Sequence, residues 1–293
     1  MGFEACHPAV NFIFFAAVLY GSATFRHPVF LAIAYLCAFA YSVKRQGKRA
    51  VIFNLCLLPL VVAFALYYSS YHHFGVTVLR KNFVDNNMTL ESLVYGLVIG
   101  LRFATVCMWL EAMFRVVSSD KVVYLFGKIS PLLSLFLTIL LRLIPRIGLE
   151  ARRINLAQKG IGRGSNQGNL FQRLTNCLRI FSMLITWMIS ALALESDSMR
   201  SRGSLLRGRT AFSIYRFDNR DRAFVIALFS CITLTATGVI LGASKMWYNP
   251  RIIWRPLNGI GVVTAIGYLT FCLMPLGLEL WTEYRFNKAK RAT

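Results

Sequence analysis

Acidic residues are scarce. Twelve Asp and Glu stand against 33 Lys and Arg, and charged residues of all kinds make up only 15% of 293 positions. Ordinary globular chains carry about 25%. With 56% hydrophobic residues and several runs near bilayer length, that scarcity points to a membrane protein. A formal charge of +21 in a soluble chain would suggest nucleic acid. Spanning segments explain both figures together, because Lys and Arg collect in cytoplasmic loops. Catalytic signatures are missing as well. The chain holds no GxxxxGK[ST], no HExxH and no GxSxG, so nothing in it argues for an enzyme. None of the seven cysteines forms a CxxC pair, and most sit inside apolar runs, where they read as small buried hydrophobes. Histidine is limited to His7, His27, His72 and His73. The adjacent pair does not converge well on one ion and has no Cys, Asp or Glu ligand nearby, so solvated interfacial histidines are expected and no metal site. The opening MGFEACHPAVNF lacks a basic n-region and a small-residue cleavage site, so no removable signal peptide is expected.

Apolar runs cover about 9–25, 28–43, 51–68, 91–114, 223–243 and 257–281, giving about six transmembrane helices in an all-α integral membrane protein. The first two are short for a bilayer core of about 30 Å. Residues 69–90 read as a polar-aromatic connection. With a cytoplasmic N-terminus, the external connections hold Arg26, Arg80, Lys81, Lys245, Arg251 and Arg255. Every other basic residue except Arg102 falls on the cytoplasmic side, so both termini are assigned there. Arg102 lies within the fourth run and is costly in lipid. It is expected to face protein or to pair, with Glu111 or Glu91 as partners, and serves either an interhelical contact or a transport path.

Residues 115–222 break the pattern. They carry 18 basic and six acidic residues, yet also the apolar stretches 129–144 and 180–194. Apolar positions recur at Leu143, Ile147, Ala151, Ile154 and Ala157, with Arg142, Arg146, Glu150 and Arg153 between them. A second row runs through Leu174, Leu178, Phe181, Ile185, Met188 and Leu192. Steps of three and four predict two long amphipathic helices. Gly160, Gly162, Gly164 and Gly168 mark the end of the first and a turn. The chain thus divides into N-terminal transmembrane helices (1–114), a cytoplasmic region with two long helices (115–222) and a C-terminal transmembrane pair (223–293).

Both long helices finish in a basic knot, RRINLAQKGIGRG (152–164) and ESDSMRSRGSLLRGR (195–209), and each knot contains Arg-Gly. Taken singly, such arginines suit a helix C-terminus or anionic lipid, and Gly164 and Gly203 read as left-handed helix stops. Taken together, two basic helix ends present arginine forks as a pair, suited to a soluble partner with two equivalent grooves. Arg207 and Arg209 lie past the second tip, where they meet lipid or solvent.

Several blocks, in order, resemble the transmembrane T component of energy-coupling factor transporters, the cobalt- and vitamin-type family. CHPAVNF (6–12) resembles its His-Pro opening. FGVTVLRKNFVDNNMTLESLVYGLVIGLRFATV (74–106) resembles its Gly-x-Thr-x-Leu loop, Thr-x-Glu and next span. SSDKVVYLFGKISPLLSLFLTILLRLIPRI (118–147) resembles the segment ending in Arg-x-Ile-Pro. EARRINLAQKGIGRG (150–164) and ALESDSMRSRG (193–203) resemble its two coupling motifs, built around Ala-Arg-Gly. Here Gly162 and Ser201 replace the alanines, and Lys159-Gly160 offers an alternative alignment for the first motif. The resemblance implies a non-catalytic subunit of a prokaryotic plasma membrane, with no cofactor of its own. ATP and Mg would belong to two ABC-type ATPases, gripped by Arg163, Gly164, Arg202 and Gly203 with Ser201, Gln158 and Arg153. The apolar helix halves would form a platform for a small substrate-binding membrane subunit. No nucleic acid is expected. The alternatives are a self-contained secondary transporter, which would need paired intramembrane acids, and a membrane-anchored RNA or ribosome binder, which would need more aromatics among the basic residues.

Overall fold

The computed structural model describes residues 2–81, 87–203, 215–254 and 256–292. The protein is an all-α membrane protein made of two compact units. One comprises Met1–Ser118 and Tyr215–Thr293, the other Ser119–Ile214.

The first unit holds α1 (Pro8–Thr24), α2 (Pro28–Gln46), α3 (Lys48–Tyr71), α4 (Leu90–Val116), α8 (Asn219–Ile240) and α9 (Gly259–Ala292). α1 and α2 each start at a His-Pro step. His7 and His27 are the N-caps, their Nδ1 atoms accepting from the N–H of Ala9 and Val29 at 3.3 Å. The proline that follows needs no intrahelical acceptor. Both of these histidines are buried, whereas the adjacent pair His72 and His73 is exposed, as expected of it. Cysteine splits likewise: Cys6, Cys37 and Cys272 are buried, but Cys56 and Cys177 are exposed.

An aromatic core joins these helices. Phe3, from a short 3-10 turn before α1, meets Phe14 and Phe224 at 5.3 and 5.5 Å, and Phe14 meets Trp109 and Phe271 at 6.0 and 5.3 Å. Rings of this size bury much apolar area per contact and favour tilted or edge-on pairs. α3 and α4 approach closely through small residues. A Cβ on Gly96 would stand 3.0 Å from Ala65 Cα, and one on Gly100 would stand 3.1 Å from Val61 Cγ1. This Gly-x-x-x-Gly step lets two apolar helices pack backbone to backbone where lipid competes for every larger side chain.

Residues 69–90 are more than a connection. β1 (Val78–Lys81) pairs antiparallel with β2 (Asn87–Thr89). Beneath this ribbon Glu91 accepts from the Thr77 hydroxyl at 2.7 Å and from the Thr77 N–H at 3.3 Å, while Thr89 caps α4. Arg102 does not find its expected partners. Glu91 is taken by Thr77, and Glu111 pairs with Arg115 at 3.9 Å. Helical geometry explains this: Glu111 sits two and a half turns from Arg102 on the opposite face of α4, and Glu91 about 16 Å away along it.

The second unit holds α5 (Ser119–Ile129), α6 (Pro131–Gly160) and α7 (Leu170–Ser201). α6 and α7 are the two long helices expected from the spacing. On α6 Leu143, Ile147, Ala151 and Ile154 turn inward as the spacing predicts, but Ala157, the last position of the row, is exposed. On α7 it does not. Leu174, Leu178, Phe181, Ile185 and Leu192 are exposed and only Met188 of that row is half-buried, while the inner row is Asn176, Ile180, Met183, Trp187 and Ala191. α7 is apolar nearly all round, so periodicity alone does not choose its face.

Among the described residues six helices are long and apolar enough to cross a membrane: α2, α3, α4, α7, α8 and α9. α1 is apolar but shorter, with 17 residues. The number matches the sequence reading; the membership differs, because α7 meets the same criterion.

Candidate partner-docking site

The proposed gripping residues all lie in the second unit. Gln158 Nε2 lies 3.6 Å from Met183 Sδ, and Arg142 lies 4.0 Å from Glu195. As α6 advances, its partners recede along α7, so the two helices run antiparallel. The Arg163 tip therefore lies at the α6–α7 turn and the Arg202 tip at the far end of the hairpin. A helix of α7's length separates them, about 45 Å. The two arginines are not brought together.

Nor are the two tips equivalent. α6 closes with both bonds of a Schellman cap. The Arg163 N–H donates to the Gln158 carbonyl at 2.9 Å and the Gly162 N–H to that of Lys159 at 3.1 Å. Gly162 takes the left-handed position with φ 76°. At the end of α7 that position belongs to Gly203, φ 74°, whose N–H donates to the Arg200 carbonyl at 3.0 Å. Gly203 is thus a helix stop as read from the sequence, but Gly164 is not; Gly162 is. Arg202 occupies the cap itself, and Arg163 stands two positions beyond its own. The alternative pair, Lys159-Gly160, lies within the last turn of α6.

Gly164 has a different constraint. A side chain there would run into Lys159. Its N–H donates to Gln167 Oε1 at 2.8 Å, and its carbonyl accepts from Asn176 Nδ2 at 3.2 Å. Asn155 Oδ1 accepts from the Ser165 N–H at 3.1 Å. Amides on α6, the turn and α7 therefore tie the turn down and leave the Arg163 side chain exposed. The sequence reading missed Asn155, Gln167 and Asn176. Their signal was a run of amides beside a glycine cluster, in a segment otherwise basic or apolar.

Arg153 is exposed and pairs with Glu150 one turn back at 3.3 Å, a contact of little energetic weight on an open surface. Ser201 and Arg202 are exposed, and the Ser201 hydroxyl donates to the Ser198 carbonyl at 2.8 Å. Arg207 and Arg209 lie outside the described residues. What this arrangement offers chemically is an exposed guanidinium fork at each end of a long hairpin. A fork of this kind matches carboxylates and backbone carbonyls of a protein groove. Among the described residues no group of three His, Cys, Asp or Glu is placed to hold a metal ion. Comparison with protein-family models and with curated proteins gives no match for this sequence.

Proposed function

We propose that this chain is the transmembrane coupling subunit of an energy-coupling factor importer, joining two cytoplasmic ABC-type ATPases to a small membrane subunit that binds a vitamin or a metal ion such as cobalt. The observation that carries the reading is the α6–α7 hairpin, with an exposed arginine beside a glycine at each end and about 45 Å between them. A single docking point needs one tip. Two tips a helix-length apart suit an ATPase dimer, one groove on each protomer. ATP hydrolysis belongs to those partners, and this chain is non-catalytic. Both termini lie in the cytoplasm of a prokaryotic cell, and the exposed apolar row of α7 is offered to the substrate subunit.

Affinity purification from membranes with the ATPases coexpressed tests this. Two ATPase subunits are expected per chain. Because the tips are far apart, Arg163→Glu and Arg202→Glu are expected to weaken the complex independently and to add in the double variant. An ATPase complex unchanged by the double variant overturns the reading. RNA recovered in place of ATPases favours a nucleic-acid binder.

A further inference from the structure

Arg102 stands near the middle of a spanning helix and makes no hydrogen bond or ion pair among the described residues. Its Nε is buried without an acceptor. Such a charge is costly in a bilayer unless something anionic or wet meets it. Its surroundings are donors and cations. The groups acting on it electrostatically are Arg26, Tyr95 and Tyr248. Tyr95 lies two turns before Arg102 on the same face of α4, and its hydroxyl has no hydrogen bond among the described residues. Tyr248, from the segment between α8 and α9, lies 5.5 Å from Tyr95 ring to ring and is buried with Leu31 and Val98. Its hydroxyl donates to the Arg26 carbonyl at 2.8 Å, which anchors the α1–α2 turn beside this place. Burial pushes that hydroxyl up to about 12, so it remains neutral and protonated. Arg26, through its carbonyl, and Arg102, through its turn of α4, thus flank the same pair of tyrosines.

We infer that Arg102, Arg26 and Tyr95 form a binding site for an oxyanion, a phosphate or similar group, at the end of the first unit where α1 turns into α2. Two arginines and a phenol are the donors that phosphate chemistry takes. Tyr95 lies near the α4 N-terminus and the long Arg102 side chain leans toward that end, so the site opens toward the membrane interface where the headgroup of an anionic phospholipid lies. A free inorganic oxyanion is the other source of the same chemistry. The site lies in the first unit and does not depend on the docking of ATPases.

Full-length protein in nanodiscs separates the sources. In one arm, nanodiscs of phosphatidylcholine with and without phosphatidylglycerol are compared by thermal unfolding and by native mass spectrometry of retained lipid. In the other, inorganic phosphate is titrated at constant ionic strength into phosphatidylcholine nanodiscs. The variants are Arg102→Gln, Arg102→Lys and Arg26→Gln, with Arg49→Gln, an exposed basic residue near the start of α3, as control. We expect phosphatidylglycerol to raise the unfolding temperature. Its retention should fall about tenfold in Arg102→Gln, less in Arg102→Lys and Arg26→Gln, and not in the control. Stabilisation by inorganic phosphate that Arg102→Gln removes assigns the site to a free oxyanion. Arg26→Gln is exposed and keeps the test alive if the Arg102 variants do not fold. Equal responses of wild type, Arg26→Gln and any folded Arg102 variant in both arms overturn the proposal.

Discussion

At the scale of single residues, glycines carry the sharpest consequences. Gly75 has φ 128°, and a Cβ there would strike the Glu91 carboxylate that holds Thr77. Gly75→Ala adds backbone strain to that clash, and we expect a loss of about 1–3 kcal/mol, read as a lower unfolding temperature in detergent. Gly148→Ala, where a Cβ meets nothing within 4 Å on a helix, is expected to be neutral or slightly stabilising. A second contrast lies at the α6 tip. Gly162→Ala forces an L-residue into the left-handed region at a cost of about 1 kcal/mol. Asn176→Ala removes the amide that holds the Gly164 carbonyl. Both are expected to speed hydrogen exchange across 158–168 while leaving the middle of α7 protected; unchanged exchange at the turn refutes the locked tip. From sequence, four glycines within nine positions announced a turn but not which one turns left-handed. That depends on which carbonyl each N–H reaches, and residue type does not record it.

At the scale of elements, the existence and length of the helices were legible and their faces only partly so. α6 alternates charge with apolar residues, so its inner row could be read off. α7 has apolar residues on every side between Leu170 and Leu194, and its buried row follows from a polar residue, Asn176, finding the turn carbonyls. The pairing of β1 with β2 was hidden because strands this short lean on the Thr77–Glu91 bond beside them rather than on β propensity. Packing of α3 on α4 was equally hidden, though Gly96 and Gly100 stood at the right spacing. Gly96→Leu should wedge these helices apart, since the obstacle is Ala65 backbone and cannot turn aside. Loss of folded protein on size-exclusion chromatography is expected for Gly96→Leu. Leu97→Ala, which changes a partly buried neighbour, should cost less. Equal recovery of the two would mean that α3 and α4 are not held by close backbone approach.

At the scale of the whole molecule, the unresolved tension is α7, which is apolar enough to span a membrane yet ends in arginines. Charge and parity decide between the two placements. With α1 to α4, α8 and α9 as six spans, both termini share a side, and nearly all basic residues lie on it. If α7 also crossed, parity would reverse. Arg285, Lys288, Lys290 and Arg291 would then face the side opposite the short basic turn at Lys44–Arg49. Restoring parity would require α6 to cross too, taking Arg142, Arg146, Glu150, Arg152 and Arg153 towards the bilayer. At about 2.5–3.5 kcal/mol for each charge near the centre, that outweighs the gain from burying α7's apolar face. The hairpin is therefore expected to lie at the cytoplasmic surface. Ser190, exposed midway along α7, is the position that tells. In a cysteine-free background, Ser190→Cys should react with a membrane-impermeant maleimide in inside-out vesicles and not in intact cells. A cysteine kept at position 56, on the lipid-facing side of α3, should react in neither. Protection of position 190 from both sides would place α7 in the bilayer, and with it the two arginine tips on opposite faces of the membrane, where no single ATPase dimer reaches both.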